Sequence, residues 1–128
     1  MTQKEFIKVL DEKGYSYKIE GDKIVVTYEG DVFLRALTSL PPDVEFGNGG
    51  SVRLDSLTSI PPGVEFRNRG YVYLDSITSI PPGVVFKNVY DVKLDSLTGG
   101  WFDYWEGNIE GIDNKRLLNL MIKKGMFI

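Results

Sequence analysis

Pairs of apolar residues, separated by a single residue, recur along the chain at a constant interval of 20 residues. One set has the form Val-x-Leu, at 32/34, 52/54, 72/74 and 92/94, and the other has the form Val-x-Phe, at 44/46, 64/66 and 84/86. This alternation predicts short strands that each direct one side toward a core. Because no residue is inserted between copies, the interval predicts a solenoid in which each repeat forms one coil.

The polar and turn-forming residues repeat with the same phase. Pro-Pro pairs at 41–42, 61–62 and 81–82 predict extended corners outside the sheets. The position that follows each pair is a glycine at 63 and 83 and an aspartate at 43, which suits a turn with positive φ. Asparagines at 48, 68 and 88 predict a structural ladder, with amides that hydrogen-bond along the stack.

The two ends of the chain depart from the repeat. Thr2 with Glu5 predicts a capping box for a helix that stops near Gly14, and the alternating runs at 15–19 and 24–28 predict a hairpin whose second strand begins the stack. A second helix is predicted over about 114–124. The predicted fold is therefore mainly β, a single-domain parallel β-solenoid over 31–98. Its caps are a helix and hairpin over 1–30 and an aromatic loop and helix over 99–128.

Composition narrows the function classes. The net charge is −3, which favours neither nucleic acid nor an anionic membrane as a partner. The chain has no cysteine and no histidine, so it lacks thiolate ligands and the commonest general base. The first residues are charged and no apolar run has the length of a membrane span, so we expect a cytoplasmic protein without a cofactor.

An aspartate recurs after each Val-x-Leu pair, at Asp55, Asp75 and Asp95. Stacked carboxylates repel one another unless something compensates the charge. Three arrangements meet this need: a bound cation, hydrogen bonds from the backbone of the turn, or exposure to water. Because the glycine-rich loops of calcium-binding solenoids are absent, the structural and solvated interpretations are favoured over a cation ladder.

The residues that differ between copies are the candidates for binding. The outward positions of the Val-x-Leu strands carry aromatic and charged side chains, which are enriched in protein interfaces. The candidate partner-binding residues on this strand face are Phe33, Arg53, Tyr71, Tyr73, Asp91 and Lys93. Cross-strand packing of exposed aromatic residues is the alternative explanation. Trp101 and Trp105 form either part of the capping core or an anchor for a partner.

The run Leu57-Thr58-Ser59-Ile60-Pro61, which follows a Val-x-Leu strand, resembles the short 20-residue leucine-rich repeats of bacterial proteins. The resemblance covers residues 31–98 and implies a solenoid. The chain departs from the family where Asp55, Asp75 and Asp95 replace its asparagine and where a second strand follows each corner. The order of caps and repeats also resembles small proteins of bacterial viruses.

These patterns favour a non-catalytic protein–protein interaction module, and the viral resemblance implies a host protein, such as one of a defence system, as the partner. A structural or self-assembling solenoid is the second interpretation. A carbohydrate-acting enzyme that uses Asp55 and Asp75 is the third, since glycoside cleavage needs two carboxylates about 5–9.5 Å apart. We expect a monomer or a weak homodimer.

Overall fold

The computed structural model describes residues 1–78, 84–90, 92–94, 96 and 100–102. Within these residues a helix, α1 (Gln3–Lys13), is followed by short strands. In chain order the strands are β1 (Tyr17–Glu20), β2 (Lys23–Val26), β3 (Val32–Phe33), β4 (Val44–Phe46), β5 (Val52–Arg53), β6 (Glu65–Phe66), β7 (Val72–Tyr73), β8 (Val85–Phe86), β9 (Val92–Leu94) and β10 (Gly100–Phe102).

The strands form two sheets. The rear sheet has the order β1-β2-β4-β6-β8, and the front sheet has the order β10-β9-β7-β5-β3. Successive strands of the repeats pair in parallel with a 20-residue offset, as in Val32 with Val52 and Val52 with Val72. The protein is thus mainly β and is a parallel β-solenoid, which confirms the predicted fold class.

The N-terminal cap also follows the sequence prediction. The backbone N–H of Glu5 donates to the Thr2 hydroxyl at 3.1 Å, and the backbone N–H of Thr2 donates to the Glu5 carboxylate at 3.0 Å, so the capping box is present. Gly14 ends α1 with a left-handed φ of 74°. The hairpin pairs β1 with β2, and Ile24 of β2 pairs in parallel with Val44, so β2 is the first rung of the stack as predicted.

The other end differs from the sequence prediction. An aromatic loop was expected from residue 99 onward, but Gly100–Phe102 form β10, which pairs antiparallel with β9. The predicted C-terminal helix lies outside the described residues.

The core is a stack of identical side chains contributed by successive coils. The rings of Phe46, Phe66 and Phe86 lie parallel, with centroids 5.3 and 5.2 Å apart. Phe6 of α1 meets Phe46 edge-on at 6.4 Å, so the helix closes the first coil. The valines and leucines of the two strand sets are buried between the sheets. The turn after each described Pro-Pro pair has positive φ, at Asp43 (61°) and Gly63 (80°), as predicted.

The repeated asparagines are buried and bind the backbone. The Nδ2 groups of Asn48, Asn68 and Asn88 donate to the carbonyl oxygens of Gly30, Gly50 and Gly70 in the preceding coil, at 3.0, 3.0 and 3.2 Å. Each also donates to carbonyl oxygens two or three residues further along the chain: Asn48 to Gly50 and Ser51, Asn68 to Tyr71, and Asn88 to Tyr90. The ladder therefore runs along the stack through backbone carbonyls.

Repeated serines form a second ladder, which was not predicted from the sequence. The Ser76 hydroxyl donates to the Asp55 carbonyl at 2.5 Å, and the Ser96 hydroxyl donates to the Asp75 carbonyl at 2.6 Å. These two bonds join the third and the fourth copy of the repeat to the copy before it, near the ends of the front strands.

Candidate functional site

The outward side of the front sheet, called here the front face, brings four of the predicted binding residues into one row. The strand register pairs Phe33 with Arg53, Arg53 with Tyr73, and Tyr73 with Lys93. Parallel strands lie about 4.8 Å apart, so a row of four spans roughly 14 Å. Phe33 is 44% exposed, and the side chains of Arg53 and Lys93 are 25% and 30% exposed.

Arg53 is held in place from two sides. Its guanidinium carbon lies 4.1 Å from the centroid of the Tyr73 ring, a cation–π contact between neighbouring coils. Its Nη2 donates to Asp55 Oδ2 at 3.1 Å. Because Tyr73 lies on β7 and Asp55 lies in the turn that follows β5, the guanidinium is oriented before any ligand arrives.

Among the described residues, two of the repeated aspartates, Asp55 and Asp75, lie next to cationic side chains, an arrangement that was not among the three predicted from the sequence. Asp55 Oδ2 lies 3.4 Å from Arg35 Nε, in addition to its bond with Arg53. Asp75 Oδ1 lies 4.0 Å from Lys93 Nζ. Arg35 occupies the position that holds aspartate in the later copies, so the first rung supplies a positive charge to the second. Asp95 lies outside the described residues.

Tyrosines gather beside this row. The rings of Tyr71 and Tyr90 stack with centroids 5.0 Å apart, and Tyr71 lies 6.4 Å from Tyr73. Tyr71 and Tyr90 are 38% and 53% exposed. Tyr71 and Tyr73 were predicted from the sequence as binding residues, and Tyr90 was not. The available signal was that Tyr90 replaces the glycine found at 50 and 70.

The remaining predicted residues are only partly placed. Trp101 belongs to β10, where it pairs with Lys93 and so continues the row by its backbone. Asp91 and Trp105 lie outside the described residues.

The opposite, rear face carries a network of ion pairs in which two cations and two carboxylates contact one another. Glu45 and Glu65 pair on adjacent strands, and Lys23 Nζ lies 3.2 Å from a carboxylate oxygen of each. Arg67 Nε lies 3.5 Å from Glu45 and 3.2 Å from Glu65. Burial by itself would raise the pKa of Glu65, but hydrogen bonds with the neighbouring carboxyl, the guanidinium and the ammonium group outweigh it and lower that pKa.

A notch opens on the rear side where the first copy lacks side chains. Gly47 and Gly49 stand where the later copies have Arg67 and Arg69, or lysine and valine. The resulting pocket of about 400 Å³ is lined by these glycines with Thr27, Glu29 and Arg69. A Cβ atom on Gly49 would lie 2.6 Å from the Glu29 carbonyl oxygen, so close packing of coils accounts for this glycine.

No family model matches the chain, and no curated protein or solved structure shows a significant similarity to it. Within the described residues, no helix combines the length and hydropathy of a membrane span. The same part of the chain contains no cluster of three or more acidic side chains arranged to hold a metal ion. The geometry of the front face is therefore the basis for a functional proposal.

Proposed function

We propose that the protein is a non-catalytic protein-binding module and that the front face contacts the partner. The observation that carries this proposal is the ordered row Phe33-Arg53-Tyr73-Lys93, in which Arg53 is fixed between a ring and a carboxylate. Arginine and tyrosine are, with tryptophan, the residue types enriched at binding hot spots. A side chain that is already oriented loses less conformational entropy on binding.

The stacked tyrosines support the same surface. Tyr71 and Tyr90 expose aromatic area next to the basic row, and such area is the usual apolar component of a protein interface. Alternating aromatic and charged groups suit a protein partner better than a nucleic acid, because Asp55 and Asp75 lie among the cations.

The resemblance to small proteins of bacterial viruses extends the proposal to the kind of partner. A viral protein made in the host cytoplasm would use this face to occupy a host protein, for example one of a defence system. Occupation alone would suffice for inhibition, so no catalytic group is required.

The test is affinity capture from bacterial lysate with the tagged chain, followed by purification of the captured protein and calorimetric titration. The front-face variant is Arg53→Glu with Tyr73→Ala. We expect it to raise the Kd at least about tenfold, since loss of a hot spot costs about 2 kcal/mol or more. Circular dichroism establishes that the variant is folded.

The matched control is Arg69→Glu with Thr27→Ala, which makes the same change in charge at the rear notch. We expect its Kd to equal that of the unmodified chain. Full-strength binding by the folded front-face variant would overturn the assignment. Equal weakening by both double variants would show a general electrostatic effect instead.

A structural, self-assembling solenoid is the second candidate, since open sheet edges can stack end to end. At the N-terminal end the front sheet is covered, because the Phe33 N–H donates to the Tyr15 hydroxyl at 3.0 Å. This contact disfavours a growing filament through that edge. A carbohydrate-acting enzyme is less favoured, because Asp55 and Asp75 are already engaged in ion pairs.

A further inference from the structure

The rear sheet ends in a strand whose outer edge is exposed. Within the described residues no strand lies beyond β1 in this sheet. Ile19 is 54% exposed, and the side chains of Lys18 and Glu20 are 57% and 53% exposed. An exposed apolar residue on a strand edge is a typical site of pairing with another strand.

The hydrogen bonds of the hairpin show which backbone groups face this edge. The Thr27 N–H donates to the Ser16 carbonyl at 2.9 Å, within the register that pairs Lys18 with Val25. In an antiparallel pair, alternate residues turn their N–H and C=O groups toward the partner strand. Ser16 and Lys18 therefore face β2, and the backbone groups of Tyr17 and Ile19 point to the free edge.

We infer that β1 pairs antiparallel with β1 of a second copy, with Ile19 opposite Ile19, to form a symmetric dimer. In this register the N–H and C=O groups of the two Ile19 residues point at each other, as a hydrogen-bonded pair requires. The two isoleucine side chains lie directly opposite and cover one another.

The charges of β1 select this register. With Ile19 at the centre, Lys18 of each copy lies opposite Glu20 of the other copy. A register centred on Lys18 also satisfies the backbone, but it sets lysine against lysine, which is unfavourable. Within one copy Lys18 and Glu20 pair at 2.7 Å, and exposed pairs of this kind exchange partners at little cost.

The geometry also limits the assembly to two copies. The same strand edge is used by both molecules, so the contact closes on itself and cannot propagate. A strand of 4 residues is short. An interface of this size falls below the usual range for permanent dimers, so the association is reversible and depends on concentration.

The experiment is sedimentation equilibrium of the full chain over a range of concentrations. The single variants Lys18→Glu and Glu20→Lys each place like charges opposite one another, and we expect each to raise the dissociation constant at least about tenfold. Mixing these two variants brings opposite charges together again, so we expect a mixed dimer at the concentration where neither variant dimerises alone.

The double variant Lys18→Glu with Glu20→Lys exchanges the two charges and serves as the control. We expect it to dimerise like the unmodified chain. A chain that stays monomeric at millimolar concentration would overturn the inference, whether β1 is simply unpaired or covered by another segment of the chain. Dimerisation that is unaffected by either single variant would place the interface elsewhere.

Discussion

The asparagine ladder permits a quantitative prediction at Asn68. Its Nδ2 group donates to the carbonyl oxygens of Gly50 at 3.0 Å and Tyr71 at 3.1 Å, and the side chain is buried. Each of these carbonyls has a second donor, namely the Asn48 amide for Gly50 and the Val52 N–H for Tyr71. Removal of the Asn68 amide therefore takes one hydrogen bond from each carbonyl but leaves each with its second donor.

This geometry sets the expected cost of Asn68→Ala. Two hydrogen bonds at about 0.5–1.5 kcal/mol each give a loss of about 1–3 kcal/mol in the free energy of unfolding. Asn68→Asp keeps the shape of the side chain but replaces the donor with a carboxylate that faces two carbonyl oxygens. A buried charge without a compensating partner costs about 3–5 kcal/mol, so the isosteric variant should be the less stable one.

The assay is urea denaturation at neutral pH, followed by far-ultraviolet circular dichroism. We expect the order of stability to be the unmodified chain, then Asn68→Ala, then Asn68→Asp. If burial raises the pKa of the new aspartate, its penalty shrinks as the pH falls through that raised value, because protonation restores a donor. Equal stabilities for the two variants, or an alanine variant as stable as the unmodified chain, would refute the donor role.

Gly49→Ala should lower the free energy of unfolding by about 1–3 kcal/mol, because its Cβ would lie 2.6 Å from the Glu29 carbonyl oxygen; thermal denaturation measures this. The pKa of Glu65 lies below its ordinary value of 4.5. The ionised Glu65 carboxylate therefore stabilises the folded protein fully at pH values above 4.5, and this contribution is lost as the pH falls through the lowered pKa. In denaturation measured at a series of acidic pH values, the free energy of unfolding should therefore fall less for Glu65→Gln than for the unmodified chain. Tyr15→Phe removes the hydroxyl oxygen that accepts a hydrogen bond from the Phe33 N–H. Hydrogen exchange of the Phe33 amide should therefore become about fivefold faster.

The repeat made most of the fold predictable. Each coil must place the same side chains between the same two sheets, so a 20-residue period in sequence becomes a 20-residue offset in strand register. The stacked rings of Phe46 and Phe66 and the left-handed turn at Asp43 follow from that identity. The capping box at Thr2 was predictable for a different reason, since it depends only on neighbours in the sequence.

Contacts between coils were harder to predict where the partner is a backbone group. Ser76 and Ser96 occupy a repeated position, yet the sequence does not show that their hydroxyls reach the carbonyls of the preceding coil. The sequence predicted that the asparagines form a structural ladder, but it did not predict the acceptors. These are backbone carbonyl oxygens in two different coils. Such bonds depend on how far one coil is rotated relative to the next.

Features that occur once were the least predictable. Arg35 interrupts the aspartate series and pairs with Asp55 at 3.4 Å, which relieves part of the repulsion that the sequence suggested. The antiparallel strand β10 forms where the period ends, and a strand of 3 residues leaves little signal. Without a second copy in the sequence, neither feature had a pattern to identify it.

The two proposed surfaces are compatible with each other. In the proposed dimer the dyad would run perpendicular to the rear sheet, so it would join the two rear sheets edge to edge and leave both front faces on the same side. Neither Arg53 nor Tyr73 lies on the strand that would be used for pairing. A partner that carries two sites could then contact both copies, and the second contact would gain from the high effective concentration set by the first. Reversible pairing at β1 would thus make the strength of binding at the front face depend on the concentration of the protein itself.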